Sequence, residues 1–255
     1  MFYDPANPSP DLIPPYIRAA GADTPELRFK WDDWIASGAF VFRPDKIVQD
    51  LAGTTLRARI VVGIGIYEWI IFRFRLVSED PTPFQVAEAA WCGSVNQSYM
   101  IYEEFDREEW LGPIRGPLWC AMTWLIPMIF LDDNNSDEWD SGVAYLVRLA
   151  VHVLPHPQVF LEWLDETIRR MLALFPVMID SPFEDLFGEN QEERRGPLIP
   201  REVLITDFVS SPEMTEGLID RFLSSVDYRR NPYLAPPEEL IAQDFPGIPY
   251  KSIKK

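Results

Sequence analysis

His152 and His156 are the only two histidines of the chain, so any general base or metal ligand of the imidazole type has to come from them. Their spacing of four residues matches the histidine pair of a metalloprotease helix, in which a glutamate follows the first histidine. Here Val153 follows His152, and Pro155 interrupts the helix before His156. We therefore interpret both histidines as core or capping residues. The chain also lacks the Gly-x-Ser-x-Gly motif of a serine hydrolase.

Two glycines, Gly63 and Gly65, have the spacing with which a dinucleotide-binding loop begins. That motif requires a third glycine where this chain has Glu68, and a carboxylate there would repel pyrophosphate. We therefore expect Gly63 and Gly65 to allow the close approach of another helix instead. We also expect Cys92 and Cys120, which lie in apolar stretches, to be buried free thiols.

The polar string at residues 132–140 has the composition of a calcium-binding loop. An EF-hand loop that started at Asp133 would require glycine at position 138 and an acidic residue at position 144, where the chain has Glu138 and Ala144. A metal-dependent nuclease of the restriction-endonuclease type needs an acidic residue two positions before a lysine, and no lysine of the chain has one. We therefore predict no catalytic residue, no metal and no cofactor, and we expect that the protein is not an enzyme.

The charge of the chain is its most informative property. The 255 residues include 40 acidic and 23 basic side chains, which gives a net charge of −17, and 47% of the residues are hydrophobic, enough for a core. A strongly negative protein repels phosphate backbones and anionic lipids but attracts basic proteins. We therefore expect neither nucleic acid nor a membrane as partner, and we leave the oligomeric state open. No secretory signal is visible at the first residues, which predicts a cytoplasmic location.

Acidic residues are concentrated in three segments, 103–109, 132–140 and 180–193. We predict that these segments bind a basic partner and that the second and third are mobile before binding. The alternative is that each segment is an ordinary solvated surface. The predicted partner-binding residues are Glu103, Glu104, Asp106, Glu108, Glu109, Asp132, Asp133, Asp137, Glu138, Asp140, Glu184, Asp185, Glu189, Glu192 and Glu193.

The elements that must position these residues are mainly helical. Apolar residues recur at helical spacing over 139–153 and 160–175, and the short connection between the two predicts antiparallel neighbouring helices. The apolar run 118–131 predicts a buried central helix, because it is too short to span a membrane. A further short helix is expected near residues 213–226. Most of the nine tryptophans are expected to line the core, and some could anchor an interface.

We predict one domain over residues 1–255 with the fold of an irregular, mainly α-helical bundle. Its parts are a proline-rich and extended lead segment, a helical core, an acidic mobile loop, and a short helix followed by a proline-rich tail that packs back on the body; the boundaries are 1–43, 44–178, 179–202 and 203–255. One alternative for the fold stays open. Residues 71–76 alternate like a strand, which favours an α+β fold with a small sheet around residues 56–76.

Several strings of the sequence together resemble bacterial immunity proteins encoded beside type VI secretion effectors, in particular those that neutralise an effector with a Tox-REase-5 nuclease domain. The strings are Glu88-Ala-Ala-Trp91, Trp110-Leu-Gly-Pro-Ile-Arg-Gly-Pro-Leu-Trp-Cys-Ala-Met-Thr-Trp124, Asn231-Pro-Tyr-Leu, Pro237-Glu-Glu-Leu and Gly247-Ile-Pro-Tyr250. The resemblance spans roughly residues 40–250. It consists of packing and turn motifs, so it carries no binding residue over to this chain.

The resemblance implies that the chain binds and neutralises a cognate nuclease toxin, and so protects the producing cell and its sister cells. This fits the charge, because a nuclease must carry a basic face to hold phosphates. Two other functions stay open at this point. One is an effector chaperone or adaptor of a secretion system, and the other is a carboxylate-based or metal-dependent hydrolase.

Overall fold

Helices dominate the computed structural model, which describes residues 5, 9–131, 136–177, 195–209 and 211–251. Within these ranges the chain is mainly α-helical, as the sequence predicts. The helices are α1 Pro15–Arg18, α2 Asp45–Ala52, α3 Leu56–Arg73, α4 Thr82–Val95, α5 Gly112–Phe130, α6 Ser136–Val153, α7 Pro157–Leu174, α8 Pro212–Ser225 and α9 Pro237–Ala242. Short 3₁₀ turns lie between them, at Pro10–Leu12, Ala36–Ala39, Gln97–Tyr99, Arg107–Glu109 and Arg201–Leu204.

The centre of the bundle is α3, which contacts α4, α5, α6 and α7. Every residue of this helix except Arg59 is buried, and the Thr55 side chain caps its N-terminus by accepting a hydrogen bond from Ala58 N. The alternative of a small sheet around residues 56–76 is therefore wrong. A helix surrounded on all sides is apolar on all sides, so the alternation at its end carries no information on strand structure. In the described part of the chain, β-pairing is limited to the isolated bridges Thr54–Pro176 and Met100–Leu234.

The two glycines of α3 allow its neighbours to approach closely, as predicted. A Cβ atom on Gly63 would lie 2.8 Å from Met128 Cε of α5. One on Gly65 would lie 2.8 Å from Leu204 Cδ1 and 3.0 Å from Trp163 Cη2 of α7. Contacts this short require a neighbouring side chain to shift, so the two positions exclude any larger residue without repacking.

The lead segment and the tail both pack on the helical core. The expectation that the lead segment has no regular element is wrong in detail, because α1 and two 3₁₀ turns lie within it. It nevertheless wraps the core: Ile17 is buried, and the Arg73 guanidinium donates to the backbone carbonyls of Thr24 and Glu26. In the tail, the ring of Tyr250 stacks on that of Tyr99 with centroids 4.9 Å apart.

Three further sequence expectations can be compared with the structure. Cys92 and Cys120 are buried free thiols, as predicted, and burial raises the pKa of both. The helices expected at 139–153 and 160–175 correspond to α6 and α7, which are in contact. Among the described residues, no helix combines the length and apolar character that a bilayer crossing requires.

Candidate functional site

The acidic segment 103–109 lies along α5 and is fastened to it from both ends. The ring of Tyr102 packs edge-on against Phe130 at the end of α5, with centroids 5.5 Å apart. In the middle, Trp119 Nε1 of α5 donates a hydrogen bond of 2.9 Å to the carbonyl oxygen of Phe105. Trp110, which follows the segment, is buried. The backbone of this segment is therefore held in place by aromatic side chains on either side of its charges.

All five carboxylates of this segment are exposed to solvent: Glu103, Glu104, Asp106, Glu108 and Glu109. Asp106 also caps the turn Arg107–Glu109 by accepting a 2.9 Å hydrogen bond from Glu108 N. Within the described part of the chain, none of the five takes part in an ion pair. Their charges are thus directed to solvent, where a partner can reach them.

The single base within the segment, Arg107, is bound to aromatic rings. Its guanidinium carbon lies 4.7 Å from the ring centroid of Trp34 and 5.7 Å from that of Trp119. Both distances are typical of cation–π contacts. Arg107 therefore connects the acidic segment to the lead segment of the chain, and it leaves the neighbouring carboxylates without a counter-charge from this side chain.

The second predicted segment is partly described, and it begins α6. Asp137 and Glu138 are exposed in the first turn of this helix, a position that the helix dipole favours for acidic residues. Asp140 differs, because it is partly buried: burial raises its pKa, and Arg59 opposes that shift. Asp132 and Asp133 lie outside the described residues.

The first segment begins near the end of α5 from which the chain continues to the second segment. The Tyr102 ring rests on Phe130, the last residue of α5, and α6 begins at Ser136. Six residues of chain reach at most roughly 22 Å, so the start of α6 lies within that distance of Phe130. The third segment lies outside the described residues, and this includes Glu184, Asp185, Glu189, Glu192 and Glu193, together with the mobility predicted for them.

Exposed apolar residues at the end of the lead segment form a feature that the sequence analysis did not single out. The side chains of Trp34, Ile35 and Val41 are 76%, 67% and 90% exposed, respectively. Trp34 was expected to line the core, as most of the nine tryptophans do. The available signal was the flanking string Trp31-Asp-Asp-Trp34, because aspartates next to an aromatic residue favour a surface turn.

A small cleft of about 150 Å³ lies between residues 31–37 of the lead segment and the helices α5 and α6. Five aromatic side chains contribute to its wall, together with the carboxylate of Asp33 and the guanidinium of Arg107; the aromatic residues are Trp31, Trp34, Trp110, Trp119 and Tyr145. Cys120 also borders the cleft, but burial raises the pKa of its thiol and so disfavours the nucleophilic thiolate. The chemistry of the cleft is therefore that of binding, through aromatic faces and a few charges.

The histidines have packing roles. His152 Nε2 donates a 2.7 Å hydrogen bond to the carbonyl oxygen of Lys30, and its ring packs against Phe29 and Phe40. His156 is exposed at the N-cap position of α7, and its side chain makes no capping hydrogen bond. Among the residues that the structure describes, no group of three or more His, Cys, Asp or Glu side chains is arranged to hold a metal ion.

Comparison of the chain with protein-family models, with curated proteins and with solved structures found no match.

Proposed function

We propose that this protein is a cytoplasmic immunity protein that binds a secreted nuclease toxin and covers the basic face with which the toxin holds nucleic acid. The observation that supports this proposal most directly is the acidic segment 103–109. It combines five exposed carboxylates with a backbone fastened to α5. The resemblance of the sequence to immunity proteins of type VI secretion effectors points to the same function.

Electrostatics explains how such a surface would act. A net charge of −17 accelerates the encounter with a basic protein, because complementary fields raise the association rate well above that of neutral pairs. The carboxylates need no rearrangement to meet lysine or arginine side chains, since in the described chain they make no ion pair that would first have to break. Once bound, they would occupy the positions in which the toxin places phosphates.

Glu108 and Glu109 provide a specific test. They are exposed, adjacent and in the first turn of a short helix, and the chain offers a matched pair in Glu238 and Glu239 at the start of α9. The nuclease domain of a type VI secretion effector of the Tox-REase-5 class, taken from the same genome, would be titrated with the wild type, with Glu108→Gln/Glu109→Gln, and with Glu238→Gln/Glu239→Gln. Both double variants remove two charges, so a difference between them reports on position.

We expect the Glu108/Glu109 variant to associate several-fold more slowly at low salt and to protect cells less well, whereas the Glu238/Glu239 variant should behave like the wild type. Wild-type protein that does not bind the nuclease domain would contradict the proposal. Binding to another part of the effector, with toxicity intact, would indicate the chaperone or adaptor function instead. Hydrolytic activity of the chain that is lost in Asp137→Asn would indicate the hydrolase.

A further inference from the structure

The loop formed by residues 31–41, called the Trp34 loop below, presents apolar side chains to solvent although it is firmly held. Two hydrogen bonds fix its tip: Asp32 Oδ1 accepts from the backbone N–H groups of Trp34 at 2.8 Å and Ile35 at 3.1 Å. A large apolar side chain that stays exposed on an ordered turn loses little conformational entropy when it is buried by a partner. Tryptophan is also the residue type most enriched among the residues that dominate interface energies.

The base of the loop is anchored to the N-terminus of α5 through Asp33. Its carboxylate accepts hydrogen bonds from Trp31 Nε1 at 2.7 Å and from Gly112 N at 3.0 and 3.1 Å. Trp31 lies directly on α5, because a Cβ atom on Gly116 would collide with its Nε1 atom. Gly112 has a φ of +94°, a conformation that favours glycine and that directs its N–H toward Asp33.

The other end of the loop is anchored to α6. The Arg148 guanidinium donates a 2.7 Å hydrogen bond to the carbonyl oxygen of Phe40, and Phe40 itself is buried against Tyr145 and His152. The loop is thus attached to two core helices, and the exposure of Trp34 is a consequence of this attachment.

The Trp34 loop and the acidic segment 103–109 form one continuous surface. Arg107 joins them, because its guanidinium stacks on Trp34 while its sequence neighbours Asp106 and Glu108 are exposed carboxylates. An apolar centre bordered by polar or charged residues is the usual arrangement of a protein–protein interface. Here the border contains the carboxylates of Asp106 and Glu108, with the guanidinium of Arg107 between them and Trp34.

We propose that Trp34 is the central anchor of the partner-binding surface, and that the partner is a protein with an apolar recess bordered by lysine and arginine side chains. This inference rests on the proposed function, since it names the chemistry of the surface that the protein recognises. Charge selects this occupant over a second copy of the chain, because two copies would bring two acidic segments, each on a molecule of charge −17, into apposition. Burial of Trp34 slows dissociation of the complex, and the carboxylates raise the association rate.

The experiment compares Trp34→Ala with Val209→Ala as a matched control. Val209 is 81% exposed, similar to Trp34, and it lies in the segment that follows Arg201–Leu204. Thermal unfolding is measured first: Val209→Ala should not change the midpoint, whereas Trp34→Ala also removes the ring on which Arg107 stacks and should lower the midpoint by no more than a few degrees. Association and dissociation rates with the effector nuclease domain used for the proposed function are then measured at low and at high salt.

We expect Trp34→Ala to dissociate at least about thirtyfold faster at both salt concentrations, with an association rate close to that of the wild type. Glu108→Gln/Glu109→Gln should show the opposite pattern, with slower association at low salt and nearly unchanged dissociation. Val209→Ala should match the wild type.

The outcomes separate this inference from the proposed function. If Trp34→Ala dissociates like the wild type while the glutamate variant associates slowly, the inference is wrong and the proposed function stands. If wild-type protein does not bind the nuclease domain, both are overturned. If the free wild-type protein is a dimer and Trp34→Ala is a monomer, the loop is a self-association surface, which also overturns the inference.

Discussion

Glu68 in α3 and the acidic segment 103–109 hold the same chemical group in opposite surroundings. The Glu68 side chain is completely buried and has three partners. Its Oε1 atom lies 2.6 Å from an Arg201 guanidinium nitrogen and accepts a 2.9 Å hydrogen bond from Trp91 Nε1, while Oε2 accepts a hydrogen bond from the Tyr16 hydroxyl. The carboxylates of the acidic segment are exposed and, in the described chain, make no ion pair.

The difference shows which charges of this protein serve the fold and which are available for recognition. A buried carboxylate is tolerated only with partners, because desolvation strongly disfavours an isolated charge. The partners of Glu68 come from the lead segment, from α4 and from the turn Arg201–Leu204, so this one group connects three parts of the chain to α3. An exposed carboxylate requires no partner, although Asp106 of the acidic segment also serves the local fold as the cap of the turn Arg107–Glu109.

The largest effect on stability is expected when the interactions of the buried Glu68 are removed. Glu68→Gln should lower the free energy of unfolding by about 2–4 kcal/mol, because a neutral amide no longer balances the charge of the partly buried Arg201 guanidinium and makes weaker hydrogen bonds to its other partners. Urea denaturation followed by tryptophan fluorescence measures this loss. Glu79→Gln, at an exposed position, is the control and should change stability by less than about 0.5 kcal/mol. A loss in Glu68→Gln as small as that of the control would contradict the structural role given to this ion pair.

The second-largest effect on stability is expected at the base of the Trp34 loop, where Trp31 packs on α5. Gly116→Ala places a methyl group against Trp31 and should cost about 1–3 kcal/mol in unfolding free energy. The control is Gly217→Ala in α8, where no atom lies within 4 Å of the new Cβ, and we expect a gain of about 1 kcal/mol from helix propensity. Chemical denaturation of the two variants in parallel gives the comparison. An equal increase in unfolding free energy in Gly116→Ala and Gly217→Ala would show that Trp31 does not pack on α5 as described.

Glu88 is intermediate in burial between Glu68 and the acidic segment 103–109. It is half-buried and accepts a 3.0 Å hydrogen bond from Asn231 Nδ2 of the tail. Burial raises its pKa, so the folded state holds the proton more tightly than the unfolded state does. Stability should therefore be unaffected by this group below its ordinary pKa of about 4.5, fall as the pH rises toward the raised folded value, and stay lower above it.

Glu88→Gln should remove this dependence. The variant should equal the wild type in urea midpoint near pH 4 and exceed it at neutral pH, by less than the losses expected for Glu68→Gln and Gly116→Ala. Urea midpoints measured from pH 4 to pH 8 test this. If the urea midpoints of the wild type and of Glu88→Gln change with pH in parallel, the environment of Glu88 does not favour the protonated form.

The smallest effect on stability is expected from substitutions in the exposed acidic segment 103–109. Glu108→Gln/Glu109→Gln should leave the unfolding free energy within about 0.5 kcal/mol of the wild type, because the two side chains are exposed and make no described ion pair. Thermal unfolding measures this at the protein concentration used for binding. A substantial destabilisation would mean that these carboxylates serve the fold, and their use in recognition would then have to be reconsidered.

Local pattern predicted the helices well where one face of the helix is polar. The spacing of Val143, Leu146 and Ala150 predicts α6, and that of Phe160, Leu164 and Ile168 predicts α7, because an amphipathic stripe is visible without knowledge of the neighbours. The pattern was ambiguous for α3, whose surroundings are apolar on every side. Only the contacts of Gly63 and Gly65 with other elements show why this segment is a helix with glycines in it.

The candidate site was predictable in part. That residues 103–109 form an acidic surface follows from composition, since a cluster of five carboxylates with one base cannot be buried without partners. The partners of Arg107 were not predictable, because Trp34 and Trp119 come from distant positions in the chain. The exposure of Trp34 had only a weak signal in the sequence, the two aspartates beside it, and tryptophan is usually largely buried.

The sequence by itself determined the helical class of this protein, its strongly negative charge and the local position of its acidic segments, because periodicity and charge are properties of neighbouring residues. Tertiary structure decided which carboxylate is paired and which is free. It also placed an exposed tryptophan beside the acidic segment 103–109, through Asp33, Gly112 and Arg107. These outcomes depend on contacts between residues far apart in the chain, and burial, which sets the energy of a charge or of an apolar side chain, exists only after those contacts have formed.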